Sequence, residues 1–186
     1  MKLNDNDQEL TARAWEGDNN AFNAIIKKFE RQVAATVIGM LGYCTEAEDI
    51  GQETFIRFYR SLDKFRGDAS VGTYLTRIAI NLSLNELKRR QRGRKLFSSK
   101  SEEKIENVPD KNSAMKNKDI KEIVQRGIEK LEPKLRSVIV LRLINGYSTK
   151  ETANILSLPL GTVLSRLARA QMRLKEILTP LYGGES

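Results

Sequence analysis

The chain has 186 residues, with 32 Lys and Arg against 24 Asp and Glu for a formal charge of +8, a single cysteine and no histidine. That length allows one domain or two small ones; the missing histidine excludes Ser-His-Asp triads, Cys-His pairs and imidazole zinc sites, and one cysteine, Cys44, forms no intramolecular disulfide. Residues 1–60 carry 7 basic and 10 acidic side chains, net −3, whereas residues 61–186 carry 25 and 14, net +11, a pattern that suits a polyanionic partner plus a second partner that prefers carboxylates.

From Met1 to Gly17 the chain is mixed acidic and polar, unlike a signal peptide. No apolar run approaches the ~18 residues that span a bilayer, so a reducing cytoplasm is the expected compartment. The first periodic segment places Phe22, Ile25, Ile26, Phe29 and Val33 at helical spacing, and Val37 and Leu41 continue it. Thr45 to Glu48 reads as a capping box with Thr45 as N-cap. The helix after it carries Ile50, Phe55, Phe58, Tyr59 and Leu62 on one side. Asp49, Gln52 and Glu53 share another face, where acids in a first turn complement the helix dipole whatever else they do.

Gly67, Ser70 and Gly72 mark a loop. A further helix from Val71 lays Leu75, Ile78, Ala79 and Leu82 on one face. Arg77, Asn81, Asn85, Lys88 and Arg92 form a polar and basic row opposite. Periodicity then fails. The stretch 93–118, rich in Ser, Lys, Glu and Asn with Pro109 inside, cannot bury enough apolar surface to order itself and reads as a linker. Its acids Glu102, Glu103, Glu106 and Asp110 suit plain solubility of a tether. Order resumes with Ile120, Ile123, Val124, Ile128 and Leu131. Val138 to Ile144 predicts a buried helix, ended by Asn145 and Gly146.

Ser148 to Glu151 is a second capping box, opening a helix that ends near Leu156. Ser157 to Gly161 predicts a turn in which Gly161 permits positive φ, with a last helix from Thr162. Two short helices joined by a tight turn make a helix-turn-helix. Val163, Leu167, Ala170, Leu174 and Ile177 form its core stripe. Thr162, Ser165, Arg166, Arg169 and Arg173 lie elsewhere, and no acid occurs from Thr162 to Lys175. Such a helix suits a major groove. The fold class expected is all-α: two small helical domains, 1–92 and 119–186, on a flexible linker.

These motifs together resemble the sigma-70 family of transcription initiation factors, in its small two-domain extracytoplasmic-function (ECF) branch. Glu48 to Phe55 is similar to the family's E-D-x-x-Q-E-x-F. Gly17 to Phe22 matches G-D-x-x-A-F, and Phe65-Arg66-Gly67 matches the F-x-G loop. Tyr74 to Asn81 matches W-L-x-R-I-A-x-N with Tyr for Trp. Ser148 to Ala170 follows the helix-turn-helix pattern, with Leu164 where a basic residue is common, Gln171 for a frequent Arg, Ser157 for the turn glycine and Leu131-Glu132-Pro133 for the common Leu-Pro.

The resemblance implies a factor without catalysis or cofactor that binds core RNA polymerase and promoter DNA, with no small-molecule substrate. It assigns Asp49, Gln52, Glu53, Phe55 and Tyr59 to the clamp helices of the polymerase largest subunit. Phe65, Arg66, Gly67, Arg77, Asn81, Asn85 and Lys88 fall to the −10 element. Thr162, Ser165, Arg166, Arg169 and Arg173 fall to the −35 element. It also implies an anti-sigma partner, which in the family often sits at the inner membrane face. For the linker acids Glu102, Glu103, Glu106 and Asp110 it implies mimicry of phosphates. The alternative is a two-domain helix-turn-helix regulator independent of polymerase, which has no need of the Asp49/Gln52/Glu53 face. The linker reaches up to about 85 Å. Elements about 17 base pairs apart span about 58 Å.

Overall fold

A computed structural model describes residues 5–65, 67–98 and 120–182, and those residues are helices and short connections without a strand. In chain order they are α1 (Asp5–Trp15), α2 (Asn19–Leu41), α3 (Thr45–Arg60), a 3-10 turn (Leu62–Lys64), α4 (Val71–Ser98), α5 (Ile120–Glu129), α6 (Pro133–Ile139) continued by a π turn (Val140–Ile144), α7 (Thr149–Leu156) and α8 (Leu160–Tyr182).

The apolar stripe of α2 buries Ile25, Phe29, Val33, Val37 and Leu41 as its spacing predicts. Asp18 starts this helix, its carboxylate accepting from the backbone N–H groups of Asn20 and Ala21 at 2.8 and 3.2 Å. The Arg13 hydrogen bond, then the Ala21 N–H, hold that carboxyl below its ordinary range. Around α2 pack α1, α3 and α4. Phe58, Val71, Leu75, Ala79 and Ile80 have no exposed surface, and each fully buried large side chain contributes about 1.5–3 kcal/mol. Phe65 and Tyr74 sit edge to face at 5.2 Å, both against Phe58.

Several expectations are corrected. Thr45 is the first helical residue of α3, not its cap. The cap is Cys44, which makes no side-chain capping bond; Glu46, in the first turn, pairs with Arg90 at 3.2 Å. Helix α4 runs to Ser98, past the expected linker start at Gly93. Before that extension, Glu86 pairs with Arg89 and Arg90 one turn on. The rest of the linker, with its four acids, lies outside the described residues, as does Arg66.

Val138 to Ile144 is buried only at its start. Leu143 and Ile144 are exposed, because the chain widens into the π turn there and rotates them outward. Gly146 does take a left-handed φ of 74°. In the turn before α8 the left-handed residue is Ser157, φ 53°, and Gly161 lies already inside the helix. Val138, Ala153 and Val163 close a small separate core under this turn.

The two halves pack on one another. One apolar core runs from Ile25, Met40 and Phe58 to Leu131, Ile139 and Leu141. Gly39 lets α2 approach the π turn; a Cβ there would lie 2.9 Å from a Val140 methyl. Polar groups lock the seam. Gln32 Nε2 lies 2.7 Å from the Tyr147 hydroxyl, 3.0 Å from Thr76 Oγ1 and 3.2 Å from the Gly72 carbonyl. Asn145 donates to Thr36 at 2.8 Å, and Gln125 to the Ile38 carbonyl at 2.7 Å. Buried Arg136 donates to the Met40 carbonyl at 2.6 Å and to the carbonyls of Glu129 and Leu131. Burial lowers its pKa.

Candidate nucleic-acid interface

Helix α4 presents two surfaces because its apolar stripe is consumed by the core. Asn81, Asn85, Lys88 and Arg92 stand exposed in one row, and Arg77 at its head is half-buried. The row leads into a cleft of about 380 Å³ lined by the loop after α3, Thr73, Tyr74 and Arg77. Phe65 is both core and cleft wall: it packs on Phe58 and Tyr74 and still lines the opening. Gly67, at φ 77°, turns the loop. Arg77 Nε is buried and has no hydrogen-bond partner among the described residues. A cleft with a free guanidinium donor and small loop side chains fits an unstacked base and its phosphate.

The far side of this cleft belongs to the other half. Glu151 and Asn154 of α7 line it, and Arg77 donates to the Asn154 carbonyl at 3.4 Å. In this form the helix-turn-helix therefore roofs the cleft.

Helix α7 begins as its capping box predicts. Glu151 N–H donates to Ser148 Oγ at 3.2 Å, and Ser148 N–H donates to the Glu151 carboxylate at 2.8 Å. The Ser148 bonds hold that carboxyl below its ordinary range. Helix α8 starts at Leu160, two residues before the expected Thr162. Ser165 and Arg169 are exposed, and Thr162 and Arg166 half-exposed. Arg169 leans back on the Ser165 carbonyl at 3.3 Å. Arg173 pairs with Glu176 at 2.8 Å, a partner just past the acid-free stretch. Leu164 is half exposed on the same helix.

On α3, Asp49 and Gln52 are exposed. Glu53 is partly committed to Arg57 at 2.7 Å. Beside them lies an apolar groove of about 550 Å³ between α2 and α3, with Phe55 in its wall and Glu30, Glu48 and Gln52 among its lining. Phe55 itself is buried, and Tyr59 packs edge-on against Phe22 at 4.9 Å. Cys44 lines the same groove, and Arg90 reaches its sulfur at 3.3 Å. That cation lies 46 residues away in sequence. The groove and the α7 roof had no signal in the sequence, because both depend on which helices meet.

The description "Sigma-70 region 2" matches residues 25–93, and "Sigma-70, region 4" matches residues 121–174. The RNA polymerase sigma-H factor of Pseudomonas aeruginosa is 32% identical over 97% of this chain and 98% of its own. The ECF RNA polymerase sigma-E factor of Escherichia coli is 35% identical over 94% and 95%. Among solved structures, CnrH in complex with the cytosolic domain of CnrY superposes with a TM-score of 0.69 at 27% identity, covering 95% of this chain and 99% of that one. The sigma factor RpoE of Bartonella quintana, in complex with the anti-sigma factor NepR, gives 0.66 at 25%, covering 85% and 96%. With both regions matched on an all-helical chain, the protein belongs to the sigma-70 family, in its ECF group, and is an alternative sigma factor that directs RNA polymerase to promoters.

Proposed function

We propose that three faces of this chain divide the work of initiation. The α3 face of Asp49, Gln52 and Glu53 meets basic side chains on the clamp helices of the polymerase largest subunit, with Tyr59 and the groove edge at Phe55 giving apolar contact. The α4 row of Arg77, Asn81, Asn85 and Lys88, with Phe65, Arg66 and Gly67 of the loop, takes the opened −10 strand. Thr162, Ser165, Arg166, Arg169 and Arg173 of α8 read the −35 duplex. Residues 1–92 and 119–186 act as separate domains on a tether once promoter is bound, because elements about 58 Å apart demand that α7 leave the α4 cleft.

The observation that carries this reading is the amide and basic row of α4 running into a cleft that holds an unpartnered guanidinium nitrogen. The chain works in the cytoplasm, without catalysis of its own. No described helix is long and apolar enough to cross a membrane, and any tie to the inner membrane face comes through an anti-sigma factor. Such a partner is supported by the complexes of CnrH with CnrY and RpoE with NepR.

Replacing Asp49, Gln52 and Glu53 together by Ala tests the polymerase face. These side chains lie outside the core, so circular dichroism stays unchanged. The Kd for core polymerase should rise by about tenfold or more, as expected when several interface polar contacts are removed. An unchanged Kd refutes the assignment.

A further inference from the structure

Helix α8 carries an apolar ladder that belongs to neither core. Leu160, Leu164, Ala168 and Met172 follow one another at four-residue spacing and all are exposed, Leu164 to 50% and Met172 to 61%. The helix packs on α5, α6 and α7 through another face, where Val163 and Ala170 are buried. Single exposed leucines are ordinary; a run of apolar side chains along one free face is not. Beside the ladder Ser165 and Arg169 stand exposed, and the stretch from Thr162 to Lys175 has no acid, so the face is positive. Gly161, in the first turn, lies inside the helix and has no left-handed φ to accommodate. A Cβ on it would meet nothing within 4 Å. Nothing in the chain requires a glycine there, and a glycine in a helix is less stable than an alanine. Its missing side chain leaves a place where another molecule comes close to the backbone.

We propose that Leu164, with Leu160 one turn before it, selects thymine in the −35 duplex by packing on the C5-methyl group. Part of the element is then chosen by apolar contact, beside the hydrogen bonds of Ser165 and Arg169. The thymine methyl is the apolar group that the major groove displays. A helix-turn-helix brings the first turns of its second helix to the base edges, and Leu160, Gly161, Leu164 and Ser165 occupy those turns. Rungs four residues apart are about 6 Å apart along the helix, and bases two steps apart on a strand are separated by about 7 Å, so the two leucines meet different bases. Cytosine in the same place turns its N4 amine toward a side chain that accepts nothing, and an unpaired donor is costly. Arg166 and Arg169 on the same helix suit phosphates flanking the methyls, which favours a duplex over a protein as the occupant. This rests on the reading that α8 takes the −35 duplex.

A genomic promoter fragment transcribed by core polymerase with the full chain is resynthesised with its −35 region randomised, and the pool bound by that complex is sequenced. Each thymine of the selected element is then replaced in turn by deoxyuridine, which removes the methyl and nothing else. At the thymine that faces Leu164 the replacement should weaken binding about fourfold, the worth of one buried methyl. With Leu164→Ala the thymine and deoxyuridine duplexes should bind alike, and circular dichroism stays unchanged because Leu164 lies outside both cores. Leu164→Lys should also lose the discrimination while steepening the salt dependence of binding by about one released counterion. Gly161→Ala, which stabilises the helix, should nevertheless weaken binding.

A bound pool without thymine preference, or binding indifferent to deoxyuridine at every thymine, overturns the inference and leaves the ladder to a protein partner. Arg169→Ala separates the two levels. If it alters the bound pool while deoxyuridine changes nothing, only the apolar contact fails. Should Arg169→Ala also leave the pool unchanged, the reading of α8 fails with it.

Discussion

Tyr147→Phe should loosen the seam between the two halves without disturbing either. The ring stays buried, and only the hydroxyl among Gln32, Thr76 and the Gly72 carbonyl is lost. Gln32 keeps Thr76 and Gly72 as acceptors, so no donor is stranded, and the cost is that of one ordinary hydrogen bond, about 1 kcal/mol. That multiplies the open population about fivefold. Gly39→Leu works by another route. Its side chain must enter space held by Val140 and Ile144, and overpacking of that kind costs about 1–3 kcal/mol. Because Gly39 lies on α2 and Val140 on the π turn, the strain falls across the seam. Leu141 of the shared core has no exposed surface, so Leu141→Cys in a Cys44→Ser background gives a thiol whose labelling rate follows the open fraction. Tyr147→Phe should raise that rate about fivefold, Gly39→Leu by more, and core polymerase should raise it further in all of them. Equal rates in every variant would show that the seam does not govern exposure of this surface.

Other outcomes follow from local geometry. Ser157 is a non-glycine residue at φ 53°, a conformation that costs about 1–2 kcal/mol; Ser157→Gly should stabilise the chain against thermal unfolding by about 0.5–1 kcal/mol once the glycine's larger unfolded-state entropy is subtracted. The Glu151 carboxyl is depressed by its bonds to Ser148. Its contribution is therefore complete above the ordinary glutamate value of about 4.3 and lost as pH falls below that through the folded value. Glu151→Gln should flatten stability over that acid range, and an unaltered pH profile would contradict the capping role. Arg136→Met leaves the carbonyls of Met40 and Leu131 without their buried donor and should destabilise the chain by about 3 kcal/mol in denaturant titration.

The apolar spacing of α2, α3 and α4 was legible in the sequence because one helix face must be buried whatever it packs against. The Ser148 box and the stripe through Val163 were legible for the same reason: each depends on neighbours three or four residues away. Contacts between distant segments were not. The Thr45 box failed because the helix begins one residue earlier, with Cys44 as its cap, so Thr45 and Glu48 do not stand at the cap and third positions. Helix α1 has too many acids and amides for its apolar spacing to stand out, yet Ala14 is buried against α2. For the site, the α4 row and the α8 cations were readable from period alone. The roof that α7 lays over the Arg77 cleft needed the packing of whole helices. Tyr147, at the centre of the seam, reads in sequence as an ordinary aromatic after a helix end.

As an alternative sigma factor, this chain gives core RNA polymerase its promoter choice. The most direct measurement is run-off transcription on genomic promoter fragments by core polymerase with and without the chain. Discrete transcripts should require the chain and be lost with Asp49, Gln52 and Glu53 replaced by Ala. Promoter selection should shift when Arg166 or Arg169 is changed. The same transcripts from core polymerase alone, or full activity in the triple variant, would contradict that role.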